Sequence, residues 1–325
     1  MTEQSVGVDI GGTKVLAGVV GADGRVLDRV LLQTPDRSQR PDVVEDTIVE
    51  AVRRLQERHT VGVVGVGAAG FVDREGAVVT FAPHLSWRNE PLKKALESRL
   101  DVPVLLDNDA NTTAWAELRF GAGRGHDDLL CITLGTGIGG ALVLGGRVFR
   151  GAHGMAGEFG HMQVVPSGRR CECGNRGCWE QYSSGNALVR EARELVEHRS
   201  PAASVLRDLV GDDPARLTGP IVTEAAAAGD QAAIEIFREI GGWLGTGLAG
   251  LVAAFDPEAV VVGGGVSEAG DLLLEPARER LGHTLTGRGF RPQPPVLAAA
   301  LGPAAGLVGA ADLARALIAT DTSAS

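Results

Sequence analysis

Residues 8–27 read VDIGGTKVLAGVVGADGRVL, and residues 132–150 read ITLGTGIGGALVLGGRVFR. Both open on a short apolar strand, break at a glycine turn, resume as a second apolar strand, turn again, and enter a third strand on Arg-Val. Apolar segments joined by glycine turns are the pattern of antiparallel hairpins. Their recurrence marks a weak internal duplication and predicts two similar half-structures, each offering a glycine turn at its first hairpin. No linker or low-complexity segment separates the halves, so the fold is read as α/β with two domains divided near Asp107. Residues 1–107, joined by a returning C-terminal helix of about 303–325, form the smaller α/β domain, and residues 108–302 form the larger.

Backbone N–H groups at a glycine turn can converge on phosphate. Taken alone, Gly11-Gly12-Thr13-Lys14 is as well read as a plain tight hairpin. The duplication favours a phosphate cradle, with Thr13 and Lys14 adding donors and Gly135, Thr136, Gly137 and Gly139 offering the second turn. The first turn is not a Walker A loop, because the glycine spacing is wrong and no helix follows directly. Asp9, at the end of the first strand, is either a plain strand-end acid or a carboxylate holding Mg²⁺ beside phosphate.

Outward from the first hairpin, residues 41–58 read as an amphipathic helix with Val44, Ile48, Val52 and Leu55 on one face. A β-branched strand over 61–66 ends at Ala68-Ala69-Gly70. Leu92, Leu96 and Leu100 mark a short helix. A strand over 103–106 runs into Asp107-Asn108-Asp109, which opens a helix through Leu118. Asp109 is read either as a helix N-cap, a job Asp107 can also fill, or as a base. Beyond the second hairpin, Ser184 caps a helix to Glu197, and residues 200–219 are weakly patterned. A long helix from Asp230 to about Ala254 carries glycines that predict a close neighbour along its face. A strand over 259–262 meets Gly263-Gly264-Gly265, a junction suited to a base or ribose, with Ser267 as the next helix cap. A last strand over 295–301 precedes the final helix.

Residues 157–182 read GEFGHMQVVPSGRRCECGNRGCWEQY. His161, Cys171, Cys173 and Cys178 are four soft or borderline ligands at a density that predicts one tetrahedral zinc. Glu158 and Glu180 stand within three residues of a ligand, as expected for the floor of a polar pocket. Cys131, in the apolar run LLCITL, reads as a buried hydrophobe.

Hydrophobic residues make up 44% of the 325-residue chain and charged residues 22%, within the range for globular domains. The net charge of −10 argues against a nucleic-acid partner. The sequence holds no apolar run long enough to span a membrane and no basic n-region at its start, so a cytoplasmic location with reduced thiols is expected.

DIGGTK, LLDNDANTTAWAE, LGTGIGG, GEFGH and CECGNRGCWE together resemble the ROK family (repressors, open reading frames and sugar kinases), and within it the bacterial glucokinases. The similarity runs from about Val6 to Ile318, and the GEFGH and CxCGxxGCxE blocks are its most specific part. The resemblance implies an actin-like, hexokinase-like fold, two ribonuclease H-like domains with an interdomain cleft. It implies ATP-dependent phosphorylation of glucose with Mg²⁺, a structural Zn²⁺ on His161, Cys171, Cys173 and Cys178, and a homodimer or homotetramer. Asp109 matches the family's catalytic base. Gly70, Asn89, Asn108, Glu158, His161 and Glu180 match its sugar contacts. The sequence departs from the family at Ala68-Ala69, where Pro-Gly is frequent. Another hexose as acceptor, polyphosphate as donor, and a catalytically silent sugar sensor are the alternatives.

Overall fold

The computed structural model describes residues 4–211 and 213–323. The first three residues, part of the segment read for a signal, lie outside the described residues, as do residues 324 and 325 of the expected C-terminal helix. The chain runs β1 (Gln4–Ile10), β2 (Lys14–Val20), β3 (Val26–Gln33), α1 (Pro41–Gln56), β4 (Val61–Ala68), β5 (Phe71–Val72), β6 (Val79–Phe81), β7 (Arg88–Glu90), α2 (Leu92–Leu100), β8 (Val104–Asn108) and α3 (Asp109–Phe120). It continues with β9 (Leu129–Leu134), β10 (Ile138–Leu144), β11 (Arg147–Val148), α4 (Gly185–Glu197), α5 (Ser204–Val210), α6 (Gly219–Ala227) and α7 (Gln231–Phe255). Then come β12 (Ala259–Gly263), α8 (Asp271–Thr284), β13 (Val296–Ala298) and α9 (Ala305–Ser323).

The duplication is visible in the strand order. One five-stranded sheet is ordered β3-β2-β1-β4-β8 and the other β11-β10-β9-β12-β13, the same plan twice. In the first, β1 pairs antiparallel with β2, β2 antiparallel with β3, and β4 parallel with both β1 and β8. In the second, β10–β11 is antiparallel and β12–β13 parallel. Each sheet is thus a hairpin-connected triplet extended by strands that helical crossovers bring alongside.

The chain divides into two compact units, residues 1–129, 141–157 and 300–325, and residues 130–140 and 158–299. The division therefore does not fall at Asp107. α3 stays with the first unit because Glu117, fully buried, accepts hydrogen bonds from the amides of Ala122, Ala300 and Leu301 at 2.8–3.1 Å.

In the first unit, α1 begins at Pro41 with Asp42 in its first turn, ends with Arg53 and Arg54, and buries Val44, Ile48, Val52 and Leu55. These charges complement the helix dipole. The apolar face of α1 packs with the apolar residues of β1, β2 and β4 in one core. α9 lies almost backbone to backbone on the sheet. A Cβ on Gly7 would stand 1.9 Å from the Leu307 carbonyl oxygen, and one on Gly65 1.8 Å from that of Ala310. Polar contacts fasten the helix further. Asp312, 4% exposed, accepts from Trp115 Nε1 at 3.0 Å and Arg119 Nε at 3.2 Å, while Arg315 donates to the Val20 carbonyl at 2.6 Å.

In the second unit, the glycines of α7 meet the close neighbours their sequence predicts. Cβ atoms on Gly241 and Gly245 would fall 2.4 and 2.3 Å from the carbonyl oxygens of Leu273 and Ala277 on α8, and one on Gly247 2.1 Å from the Trp179 ring.

Several local expectations are corrected. The weakly patterned 200–219 region holds α5 and two short 3₁₀ turns, at Pro201–Ala203 and Pro214–Arg216. Ser267 caps no helix: its hydroxyl bonds the Gly264 carbonyl inside a 3₁₀ turn, and α8 starts at Asp271 with no side-chain cap. The last strand is shorter than expected, because Glu117 takes the amides of Ala300 and Leu301. β7, which closes a small β5-β6-β7 sheet, was not foreseen.

Candidate functional site

In the first unit, β8 runs into α3 across Asp107-Asn108-Asp109. The helix cap is neither aspartate. Asn108 occupies the N-cap, its Oδ1 accepting from the amides of Ala110 at 2.8 Å and Asn111 at 3.2 Å. That leaves Asp109 at the first helical position, with Oδ1 accepting from Asn108 Nδ2 at 3.0 Å and the Ala110 amide at 2.9 Å. Burial pushes the Asp109 carboxyl up to about 6, against these hydrogen bonds, which favour the ionised form. Asp9, at the end of β1, is pushed up to about 7, chiefly by burial and then by the charge of Asp109. Its carboxyl group packs against Gly306 in the first turn of α9. Two interacting acids, each pushed up toward neutrality, form an acid pair in this unit.

Gly70 joins the cluster, its carbonyl accepting from Asn108 Nδ2 at 3.1 Å. Asn89 lies on β7 in the left-handed region, with φ of 52°, a conformation asparagine tolerates better than most residues. The first glycine turn closes through Gly11 N to Lys14 O at 3.0 Å, and Thr34 ties down the carbonyls of Gly11 and Thr13. Gly12, Thr13 and Lys14 are exposed. The amides of Gly12 and Thr13 donate to no backbone carbonyl among the described residues, so both are available to an anion.

In the second unit, the other turn is closed by Gly135 N to Gly137 O at 3.1 Å. The start of α4 seals its carbonyl side, with Gly185 N on Gly135 O at 2.8 Å and Asn186 N on Thr136 O at 3.3 Å. Gly264, with φ of 86°, comes so near that a Cβ there would sit 2.4 Å from the Leu134 carbonyl. The structure thus brings Gly264 and Gly265 to the turn that carries Gly135, Thr136, Gly137 and Gly139. The same turn meets Glu180, whose Oε2 would lie 2.4 Å from a Cβ on Gly137.

The cysteine-rich stretch folds as a small bridged loop. Gln163 pairs with Cys178 and Arg170 with Arg176 as isolated bridges, and the Cys171 amide bonds the Asn175 carbonyl at 2.9 Å. A 3₁₀ turn at Phe159–His161 sets Glu158 and His161 three residues apart on one side. The ligand atoms of His161, Cys171, Cys173 and Cys178 lie within 4.8 Å of one another. Cys173 Sγ is 3.6 Å from Cys178 Sγ, and Cys171 Sγ is 3.6 Å from His161 Nδ1. Bonds of about 2.3 Å to sulfur and about 2.0 Å to nitrogen give a zinc tetrahedron edges of about 3.5–3.8 Å. The four residues therefore fit zinc, with Nδ1 as the histidine ligand and Nε2 turned toward Glu158 Oε2 at 3.9 Å. Glu180 Oε1 accepts from the Cys171 thiol at 3.0 Å. Cys131 is buried in β9, as its apolar surroundings predict.

Sequence reasoning missed the buried pair of Asp107 and Arg150, whose guanidinium meets Asp107 Oδ2 at 2.5 and 3.0 Å. Nothing local marks it, since the partners are 43 residues apart. No described helix is long and apolar enough to cross a membrane.

Residues 5–317 match the model of the ROK family. The chain is 47% identical over 311 residues to the glucokinase of Streptomyces coelicolor, covering 96% of this chain and 97% of that one. It is 38% identical to the glucokinase of Thermotoga maritima, over 85% of this chain and 86% of that one. Among solved structures, it resembles a ROK family glucokinase from Streptomyces griseus in complex with glucose and AMPPNP, with a TM-score of 0.88 and 50% identity. That match covers 96% of this chain and 99% of the other. The actin-like, hexokinase-like α/β fold expected from the sequence is the fold found. With this match over residues 5–317 and these relatives over nearly its whole length, the chain belongs to the ROK family.

Proposed function

We propose that this chain is an ATP-dependent glucokinase, transferring the γ-phosphoryl group of ATP to the 6-hydroxyl of glucose. The observation that carries the reading is its likeness, at 47% and 50% identity over 96% of the chain, to two glucokinases, one of them bound to glucose and AMPPNP. Asp109 is the general base. With a pKa of about 6 it is largely ionised at neutral pH, yet basic enough to take the hydroxyl proton as oxygen attacks phosphorus. ADP and glucose 6-phosphate leave, and the proton stays on Asp109 until solvent removes it.

Glu158, His161 and Glu180 bind sugar hydroxyls, with Asn108, Gly70 and Asn89 as further contacts. The turns at Gly11–Lys14 and Gly135–Gly139, with Gly264 and Gly265, hold the nucleotide. Asp9 holds Mg²⁺: its carboxylate is a hard oxygen ligand, and a divalent cation beside two facing acids offsets their repulsion. Magnesium, when bound, neutralises charge on the phosphates. Zinc on His161, Cys171, Cys173 and Cys178 has four protein ligands, so its role is structural. The enzyme works in the cytoplasm as a homodimer or homotetramer.

The test is a coupled assay of ADP release across glucose, mannose, fructose, N-acetylglucosamine and N-acetylmannosamine, with ATP or polyphosphate as donor. Glucose with ATP should give the highest kcat/KM. A higher value with another hexose would reassign the acceptor, and product formed only with polyphosphate would reassign the donor. Turnover of no hexose with either donor would make the chain a sugar sensor.

A further inference from the structure

Asp107 is 2% exposed, and both its oxygens are fully engaged. Oδ2 accepts from Arg150 Nε at 3.0 Å and Nη2 at 2.5 Å. Oδ1 accepts from the Asn108 amide and from Asn111 Nδ2, each at 2.8 Å. The bonding continues without a gap. Asn108 Oδ1 caps α3 through the amides of Ala110 and Asn111, and Asn108 Nδ2 donates to Asp109 Oδ1 at 3.0 Å. Arg150 is itself held from the other side, its carbonyl accepting the Ala156 amide at 3.2 Å.

The chemistry of this relay asks for an arginine. A buried carboxylate needs a counter-charge, and a third uncompensated acid near Asp9 and Asp109 would add to a repulsion those two already share. Arginine supplies the charge and, through its planar fork, a direction. A lysine would supply the charge alone.

We propose that Arg150 is a positioning residue for phosphoryl transfer: it fixes Asp107, which with Asn111 holds Asn108, and Asn108 Nδ2 orients the Asp109 carboxylate. The proposal rests on the reading of Asp109 as the base. Arg150 touches neither sugar nor nucleotide in this role, so its loss acts mainly on the chemical step and reaches the sugar only through Asn108. A small misplacement of a catalytic group can cost about 10²-fold in rate.

The experiment measures kcat and glucose KM for R150M, R150K, D107N and D107N/R150M, with D109N alongside and thermal unfolding recorded for each. R150M is expected to lose about 10²-fold in kcat, while glucose KM rises by a much smaller factor through the sugar contact of Asn108. R150K should recover part of that loss. D107N/R150M should be no slower than R150M, because both changes break the same link. A folded R150M with kcat within about twofold of wild type overturns the proposal, as does a parallel loss in kcat and KM that tracks melting temperature alone. If R150M does not fold, R150K and D107N/R150M decide: undiminished kcat in both overturns it. An active D109N instead removes the underlying reading of the base, whereas an inactive D109N beside an unaffected R150M sinks this proposal alone.

Discussion

Asp109 and Asp9 have shifted pKa values for related reasons, and the two shifts predict different measurements. Asp109 must be ionised to accept a proton, so kcat/KM for glucose should fall as pH drops through about 6 and stay level above it. D109N should bind glucose in a titration but lose about 10²–10⁴-fold in kcat, the usual contribution of a general base. Equal activity in the two proteins would end the assignment. Asp9 is a statement about stability. Its folded pKa of about 7 lies above the ordinary 3.8, so the folded state holds the proton more tightly than the unfolded state does. Stability therefore declines as pH rises from about 4 to about 7, and the full penalty is present above that window. Without nucleotide or divalent cation, D9N should resist urea better than wild type at pH 8, by about 4 kcal/mol, with no advantage at pH 4. An advantage that persists at pH 4 would assign the effect to packing.

At the scale of elements, the cysteine-rich loop makes its own prediction. The four side chains proposed to hold zinc come from a 3₁₀ turn and a bridged loop, with little regular structure to hold them. C171S, C173S or C178S should release this loop and weaken glucose binding, while the acid pair on β1 and α3 keeps its hydrogen bonds. Glucose titration should show the loss, and amide protection of α3 should be unchanged. A metal-stripped protein with full activity would contradict the structural role.

The elements also show what a sequence can carry. The hairpin triplets were legible because strand, glycine turn and strand are neighbours in the chain, and the repeated strand order follows from repeating them. The cluster of His161, Cys171, Cys173 and Cys178 was legible because all four fall within one short stretch. The α7 glycines were legible as a demand for a close neighbour, but not which one, since α8 and Trp179 are set by packing. What stayed hidden depends on partners distant in sequence. Asp107 meets Arg150 across 43 residues, and Glu117 meets Ala300 across 183. Neither leaves a local mark. Asn108 as the cap was hidden by rivalry, because three adjacent residues all suit that position.

For the whole molecule, the relevant feature is α9. It covers β1 and β4 where Gly7 and Gly65 leave no side chain, and it also packs on α3, where a Cβ on Gly309 would lie 1.7 Å from the Thr112 carbonyl. A chain ending at residue 304 would leave this face bare. Such a truncation should lose hydrogen-exchange protection throughout β1, β4 and β8, while the α7–α8 pair of the second unit keeps most of its own. Retained protection in β1 would show that the sheet stands without its helix.

The same feature sets an order in time. On a ribosome adding about 5–20 residues per second, α9 emerges about 10–40 s after β8, since roughly 200 residues separate them. For that interval the first sheet is made but uncovered, its glycine-lined face open to solvent and to other nascent chains. The second unit, residues 130–140 and 158–299, is complete before the first can be. The strands β1 to β8, made before the second unit, thus complete their packing after it, and the first unit's lifetime as an uncovered sheet is set by the rate of translation.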